Sequence, residues 1–214
     1  MSTRKNRVNS TVIVLIVFMA LIAGVFVSGH LHKEKKVDLS EFNGTLLNKP
    51  REIKPFALTG IDNQPFTNEN LKGQWTMVFF GFTNCGFVCP TTMAELAKMY
   101  HMLEENQTSH LPRVVMISID PERDNQQKLK SYVQAFDKHF YGARGSMDIV
   151  SEMTKEMGIA YTKIALPATA DGENYDMQHS GAVMLFNPQG ELSAFFTTPH
   201  QAGLLAKDYR LLVS

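Results

Sequence analysis

The stretch Met77-Val-Phe-Phe-Gly-Phe-Thr-Asn-Cys-Gly-Phe-Val-Cys-Pro-Thr-Thr-Met-Ala-Glu-Leu96 contains both cysteines of the chain and limits its fold more than any other. Met77 to Phe82 is an apolar, aromatic run of strand length ending at Gly81 and Thr83, which suits a central strand covered on both faces. A helix follows. Pro90 suits a first turn, Thr92 and Glu95 have capping-box spacing, and Met93, Leu96, Ala97, Met99, Tyr100 and Leu103 recur at helical intervals. Cys85 and Cys89 therefore fall where a strand hands over to a helix N-terminus. Free N–H groups and the positive end of the helix dipole favour a thiolate there. With three residues between them, the two sulfurs can close a disulfide or grip one soft metal ion together.

The remaining sequence alternates in the same way. Pro55 to Thr67 has strand-like ends around a Gly60–Gln64 turn and predicts a hairpin, and Asn68 to Gly73 reads as one helical turn closed by glycine. Arg113 to Ile119 is a second β-branched run, ending in Asp120-Pro-Glu-Arg-Asp124. Asp124 and Gln127 have capping-box spacing before a helix with the apolar stripe Leu129, Tyr132, Val133 and Phe136. Buried strands alternating with amphipathic helices predict an α/β domain with parallel strands. Met147 to Met157 is helical and stops at Gly158; Met147, Met153 and Met157 read as core filling rather than soft-metal ligands. Ile159 to Ile164 reads as a strand and Pro167 to Asp176 as a polar loop. Ala182 to Phe186 and Glu191 to Thr197 form a predicted hairpin around Asn187-Pro-Gln-Gly190, and His200 to Leu212 a closing helix.

Before this domain the pattern differs. Residues 1–10 form a short basic tail with Arg4, Lys5 and Arg7, and Thr11 to Gly29 carries no charge. That run has nearly the length a bilayer requires, roughly 20 residues, and predicts a single uncleaved transmembrane signal anchor over 11–29. Lys33, Lys35 and Lys36 balance the basic residues on the other flank, so flank charge does not set the orientation. Residues 30–50 read as a linker and 51–214 as the folded domain. Basic and acidic residues both number 21, a net charge of +0 that excludes a global attraction to nucleic acid.

Among the histidines, His30 and His32 lie in the expected linker, where solvated imidazoles usually do nothing. His101, His110, His139 and His200 lie on helices or polar ends and read as ordinary surface or structural residues. His179, in Asp176-Met-Gln-His-Ser-Gly181 just before the late hairpin, is the candidate ligand by its position.

Taken together, FFGFTNCGFVCPTT, SIDPERD, YVQAFDKHF and His179-Ser180 resemble the SCO/SenC family, named for synthesis of cytochrome c oxidase, from about Pro55 to Phe196. The resemblance implies a thioredoxin-like fold held by the membrane anchor, facing the periplasm or the mitochondrial intermembrane space. It also implies copper held by Cys85, Cys89 and His179. Gly86-Phe87 stands where many members have Pro-Asp, which removes a negative charge beside the site and alters the surface offered to a partner. The donor set is consistent with copper on physical grounds: two thiolates and an imidazole suit Cu(I), whereas a structural zinc site wants a fourth ligand. Cu(II) also favours the imidazole nitrogen.

The function expected from this resemblance is that of a copper chaperone rather than an enzyme. It would serve the two-copper centre of cytochrome c oxidase subunit II, or another copper-accepting protein. The rival is a thiol-disulfide oxidoreductase that uses Cys85 and Cys89 to keep the oxidase copper-site cysteines reduced. A sensor signalling through the membrane segment needs a bistable element that the sequence does not offer. In an oxidising compartment, Cys85 and Cys89 are expected to pair as a disulfide when metal is absent. Alkaline phosphatase fused after Ser214 is expected to be active in a bacterial host; activity only from a reporter that needs the cytoplasm would overturn this topology.

Overall fold

The computed structural model describes residues 15–20, 39–169 and 172–213. Residues 15–20 are helical, expose Leu15 through Met19, and belong to a unit separate from Leu39–Ser214. Among the described residues no helix is long and apolar enough to cross a membrane. The rest of the expected anchor at 11–29 lies outside the described residues, as do His30 and His32.

The larger unit is built on an eight-stranded mixed sheet in the order β1-β10-β9-β4-β5-β6-β2-β3. Its strands are β1 (Thr45–Arg51), β2 (Ala57–Gly60), β3 (Pro65–Thr67), β4 (Thr76–Gly81), β5 (Arg113–Ser118), β6 (Tyr141–Arg144), β9 (Val183–Phe186) and β10 (Leu192–Phe196). A separate two-stranded hairpin is formed by β7 (Tyr161–Thr169) and β8 (Gly172–His179). The helices are α1 (Val88–Glu105), α2 (Gln126–Phe136), α3 (Met147–Met157) and α4 (Ala202–Val213).

All six residues of β4 are buried, as a strand covered on both faces requires. Phe79, Phe80 and Phe82 are at most 1% exposed, and burying each side chain is worth about 1.5–3 kcal/mol. The α1 stripe lies in the same core, with Met93, Leu96, Met99 and Leu103 all at 0%. β4, β5 and β6 run parallel, joined by crossovers through α1 and α2. β9 then lies antiparallel on the other side of β4, with Val183 opposite Phe79. A strand that enters beside the C-terminal end of β4 brings the residues before it to the same edge. The turn after β4, the turn after β5 and His179 therefore meet there, at the carboxyl ends of the parallel strands.

Four local expectations need correction. The sheet is mixed: only β4–β5 and β5–β6 pair in parallel, and beyond the two expected hairpins β1–β10, β2–β6 and β4–β9 also pair antiparallel. Thr45–Arg51, mostly inside the expected linker, is an edge strand on β10; its largely exposed side chains hid it. The presumed loop 167–176 belongs largely to the β7–β8 hairpin, where buried Tyr175 and Met177 alternate with exposed Asp176 and Gln178. The fourth correction concerns caps. Asn125, not Asp124, caps α2 by accepting from Lys128 N, and α1 starts at Val88 with no side-chain cap from Thr92. Glu95 instead accepts from Ala202 N at 2.8 Å, at the start of α4. Of the three α3 methionines, Met153 and Met157 fill core while Met147 is exposed.

The segment entering β1 is fixed by Asp208 of α4, which is 1% exposed. Its carboxylate accepts from Asn43 N, Gly44 N and Asn43 Nδ2, each at 2.9 Å. Asp208→Ala strands those donors and is expected to cost about 2–4 kcal/mol in urea unfolding. A loss below about 0.5 kcal/mol would show that the entry segment contributes nothing to the fold.

Candidate metal centre

Cys85 lies in the short turn after β4, and Cys89 lies in the first turn of α1. Cys85 N donates to Phe82 O at 3.3 Å, and Cys89 N donates to the Cys85 sulfur at 3.3 Å. The sulfur thus takes the place of the missing side-chain cap and satisfies one of the free amides of the helix start. Cys85 is half-buried and Cys89 is 0% exposed; both thiols are free. Gly81 is needed behind them: a Cβ there would lie 2.6 Å from the Phe79 ring and 3.1 Å from Cys89 Sγ.

His179 completes the group. Its Nε2 lies 3.2 Å from Cys89 Sγ, and the two sulfurs and an imidazole nitrogen all fall within 4.8 Å of one another. The Nδ1 atom is 3.0 Å from Ser180 O. A carbonyl only accepts, so Nδ1 carries the proton and the lone pair of the neutral ring is on Nε2, directed at the sulfurs. Phe79 and Phe82 hold the ring, each with its centroid 5.8 Å away. Gly181 permits the approach, because a Cβ there would meet Thr198 Cγ2 at 2.5 Å and Val88 Cγ1 at 3.0 Å.

The two thiols are electrostatically unequal. Hydrogen bonding from the Cys89 thiol, with the Cys89 and Phe87 amides adding to it, outweighs partial burial and pulls Cys85 from 9.0 down to about 4. Burial, reinforced by the neighbouring Cys85 charge, pushes Cys89 up, so it remains a thiol. One half-buried thiolate, one buried thiol and one imidazole nitrogen form a soft donor set that suits Cu(I) and leaves an open side. Among the described residues no other His, Cys, Asp or Glu group gathers in this way, and this one offers three candidate ligand atoms.

The other described histidines lie elsewhere. His101 Nε2 is 3.4 Å from Asp137 and His139 Nδ1 is 2.9 Å from it, so both have the acidic neighbour that sequence spacing did not suggest. His200 donates from Nε2 to Gly181 O at 2.6 Å, and burial pushes its pKa down. Asp124, expected to cap a helix, is the functional group the sequence reading missed. It is 0% exposed and accepts from Thr83 N, Thr83 Oγ1 and Ser118 Oγ, fastening the turn that carries Cys85. The rim is apolar, because Phe87 stands 76% exposed between the cysteines.

Residues 44–214 match the SCO1/SenC family. A Stutzerimonas stutzeri protein named for copper binding is 34% identical over 169 residues, covering 79% of this chain and 80% of its own. The human mitochondrial protein SCO1 homolog is 32% identical over 191 residues, 87% of this chain and 60% of the human protein. Among solved structures, Arabidopsis thaliana ScoI with copper bound superposes with a TM-score of 0.67 at 29% identity, covering 73% of this chain and 94% of that one. The chain belongs to the SCO1/SenC family and has its thioredoxin-like α/β fold.

Because the Cys85 pKa is depressed, its thiolate persists as pH falls and is lost only through about pH 4. Iodoacetamide should therefore modify Cys85 before Cys89 in reduced protein, at a rate nearly flat from about pH 6 to about pH 8. A rate rising about tenfold per pH unit over that range, or equal labelling of both residues, would contradict the assignment.

Proposed function

We propose that this chain is a copper carrier for assembly of the copper centre of a cytochrome c oxidase, binding its cargo through Cys85, Cys89 and His179. The convergence of two sulfurs and one imidazole nitrogen within 4.8 Å carries this reading. Its support is the donor chemistry, together with family membership and the copper-bound state of the Arabidopsis relative. A half-buried Cys85 gives the ion one accessible ligand, so an incoming thiolate of an acceptor can displace the carrier's ligands one at a time. The pre-set His179 tautomer and the helix-start amide at Cys85 let the site receive copper with little rearrangement. Subunit II as acceptor and a domain facing the periplasm or the intermembrane space are implied by the family resemblance, and the anchor over 11–29 rests on the uncharged run of that segment.

The unequal thiols favour a second reading, thiol-disulfide exchange. The Cys85 thiolate would attack a partner disulfide, forming a mixed disulfide and releasing one partner thiolate. Cys89, deprotonated by His179 Nε2 at 3.2 Å, would attack Cys85 Sγ and release the second. The partner gains two electrons, and the chain is left with a Cys85–Cys89 disulfide. His179 thus has a part in both readings, in the second step only of the exchange. Geometry adds this to the sequence expectation, in which exchange needed the sulfurs alone.

His179→Ala should weaken Cu(II) by more than about 100-fold in competition titrations, since loss of an outer-shell partner alone costs 10- to 100-fold. It should leave formation of the Cys85 mixed disulfide unchanged. Parent-like affinity for both copper states would remove His179 from the ligand set. Retained oxidase assembly by His179→Ala, with assembly abolished by Cys85→Ser, would give the function to thiol exchange.

A further inference from the structure

The β7–β8 hairpin forms no ladder with the main sheet, yet its last residue is His179, a proposed ligand. An isolated two-stranded hairpin is marginally stable in water, so side chains must hold β8 against the body. Tyr175, Met177 and His179 share one face of β8 by the two-residue period of a strand. Tyr175 is 9% exposed and is gripped from three directions. The Arg123 guanidinium lies 3.7 Å from its ring centroid and Lys163 Nζ lies 3.9 Å from it. Its hydroxyl donates to Asp120 Oδ1 at 2.7 Å, and Arg123 Nη1 donates to Tyr175 O at 2.8 Å. Arg123 also pairs with Asp120, while Lys163 pairs with Glu122 at 3.1 Å.

The same short turn holds the other half of the site. Asp124 fastens Thr83, two residues before Cys85, and Arg123 Cζ lies 5.9 Å from the Phe82 ring that packs on His179. Residues 120–124 thus grip both the cysteine turn and the histidine strand.

We propose that Tyr175, clamped by Asp120 and Arg123, is a positioning residue that sets the His179 imidazole against Cys85 and Cys89 for copper. The four residue steps from Tyr175 to His179 span about 13 Å of strand, so the clamp acts as a fixed pivot for the ligand. Tyr175 touches no ligand atom itself; its effect on copper runs through His179. The inference rests on the three-ligand reading above.

The test is a double-mutant cycle in the full chain, with Tyr175→Ala and Tyr175→Phe each made in the parent and in His179→Ala. Cu(II) competition titration should show Tyr175→Ala weakening copper about 10- to 100-fold in the parent and less than about twofold in the His179→Ala background. Tyr175→Phe keeps the ring between the two cations and should fall between parent and Tyr175→Ala. It carries the cycle if Tyr175→Ala does not fold. In metal-free protein, NMR should show the His179 imidazole becoming mobile in Tyr175→Ala while that of His200 stays fixed. On Cu(II), the electron paramagnetic resonance coupling to imidazole nitrogen should weaken in the same variant. Equal losses in both backgrounds, or no loss in the parent, would overturn the clamp while leaving the ligand set intact. If His179→Ala itself changes no copper affinity, the ligand set falls and the clamp falls with it.

Discussion

The hydrogen bond from the Cys89 amide to the Cys85 sulfur, 3.3 Å long, is the contact on which the site depends. It exists because β4 ends and α1 begins within a few residues, leaving helix-start amides that no side-chain oxygen caps. The sulfur fills that role. The amide adds to the larger effect of the Cys89 thiol in stabilising the Cys85 charge before any metal arrives, and the sulfur's position relative to Cys89 is set by the helix start. The Cys89 side chain is sealed into the core against Gly81, so one thiol faces outward and the other inward. A pair of equally exposed cysteines would offer neither a preferred first contact nor a defined inner ligand.

The third donor comes from far along the chain, and sheet topology delivers it. Were β9 parallel to β4, the residues before it would lie at the opposite edge of the sheet. Being antiparallel, it places His179 beside the cysteine turn. The turn after β5 reaches the same edge by the right-handed crossover expected of parallel neighbours, and there Asp124 ties down Thr83. The candidate site is thus concentrated at one edge of a sheet whose remaining strands serve mainly to bury Phe79, Phe80 and their neighbours.

Much of this was readable from residue order, because β4, α1, α2 and α3 have apolar periods that match their burial. Met93, Leu96, Met99 and Leu103 announce a buried helix face, and they form one. The misreadings concern polar groups with distant partners. Glu95 and Asp124 each sit at cap spacing, yet their acceptors' partners are Ala202 and Thr83, 107 and 41 residues away. Local spacing cannot reveal such bonds. β1, the second half of β7 and β8 were missed because an edge strand and a one-sided ribbon keep polar residues outward, so the apolar signal is reduced to every second position. Even there, Tyr175-x-Met177-x-His179 was a legible alternation, hidden by the polar residues around it. Only resemblance, not spacing, connected His179 with the cysteines.

The central claim, that both sulfurs and the imidazole bind one copper ion together, is tested most directly by X-ray absorption at the copper edge on reduced, copper-loaded protein. The account predicts a first shell of two sulfurs and one imidazole nitrogen. A shell of two sulfurs without nitrogen would remove His179 from the site, and a shell of nitrogen or oxygen alone would contradict the account altogether.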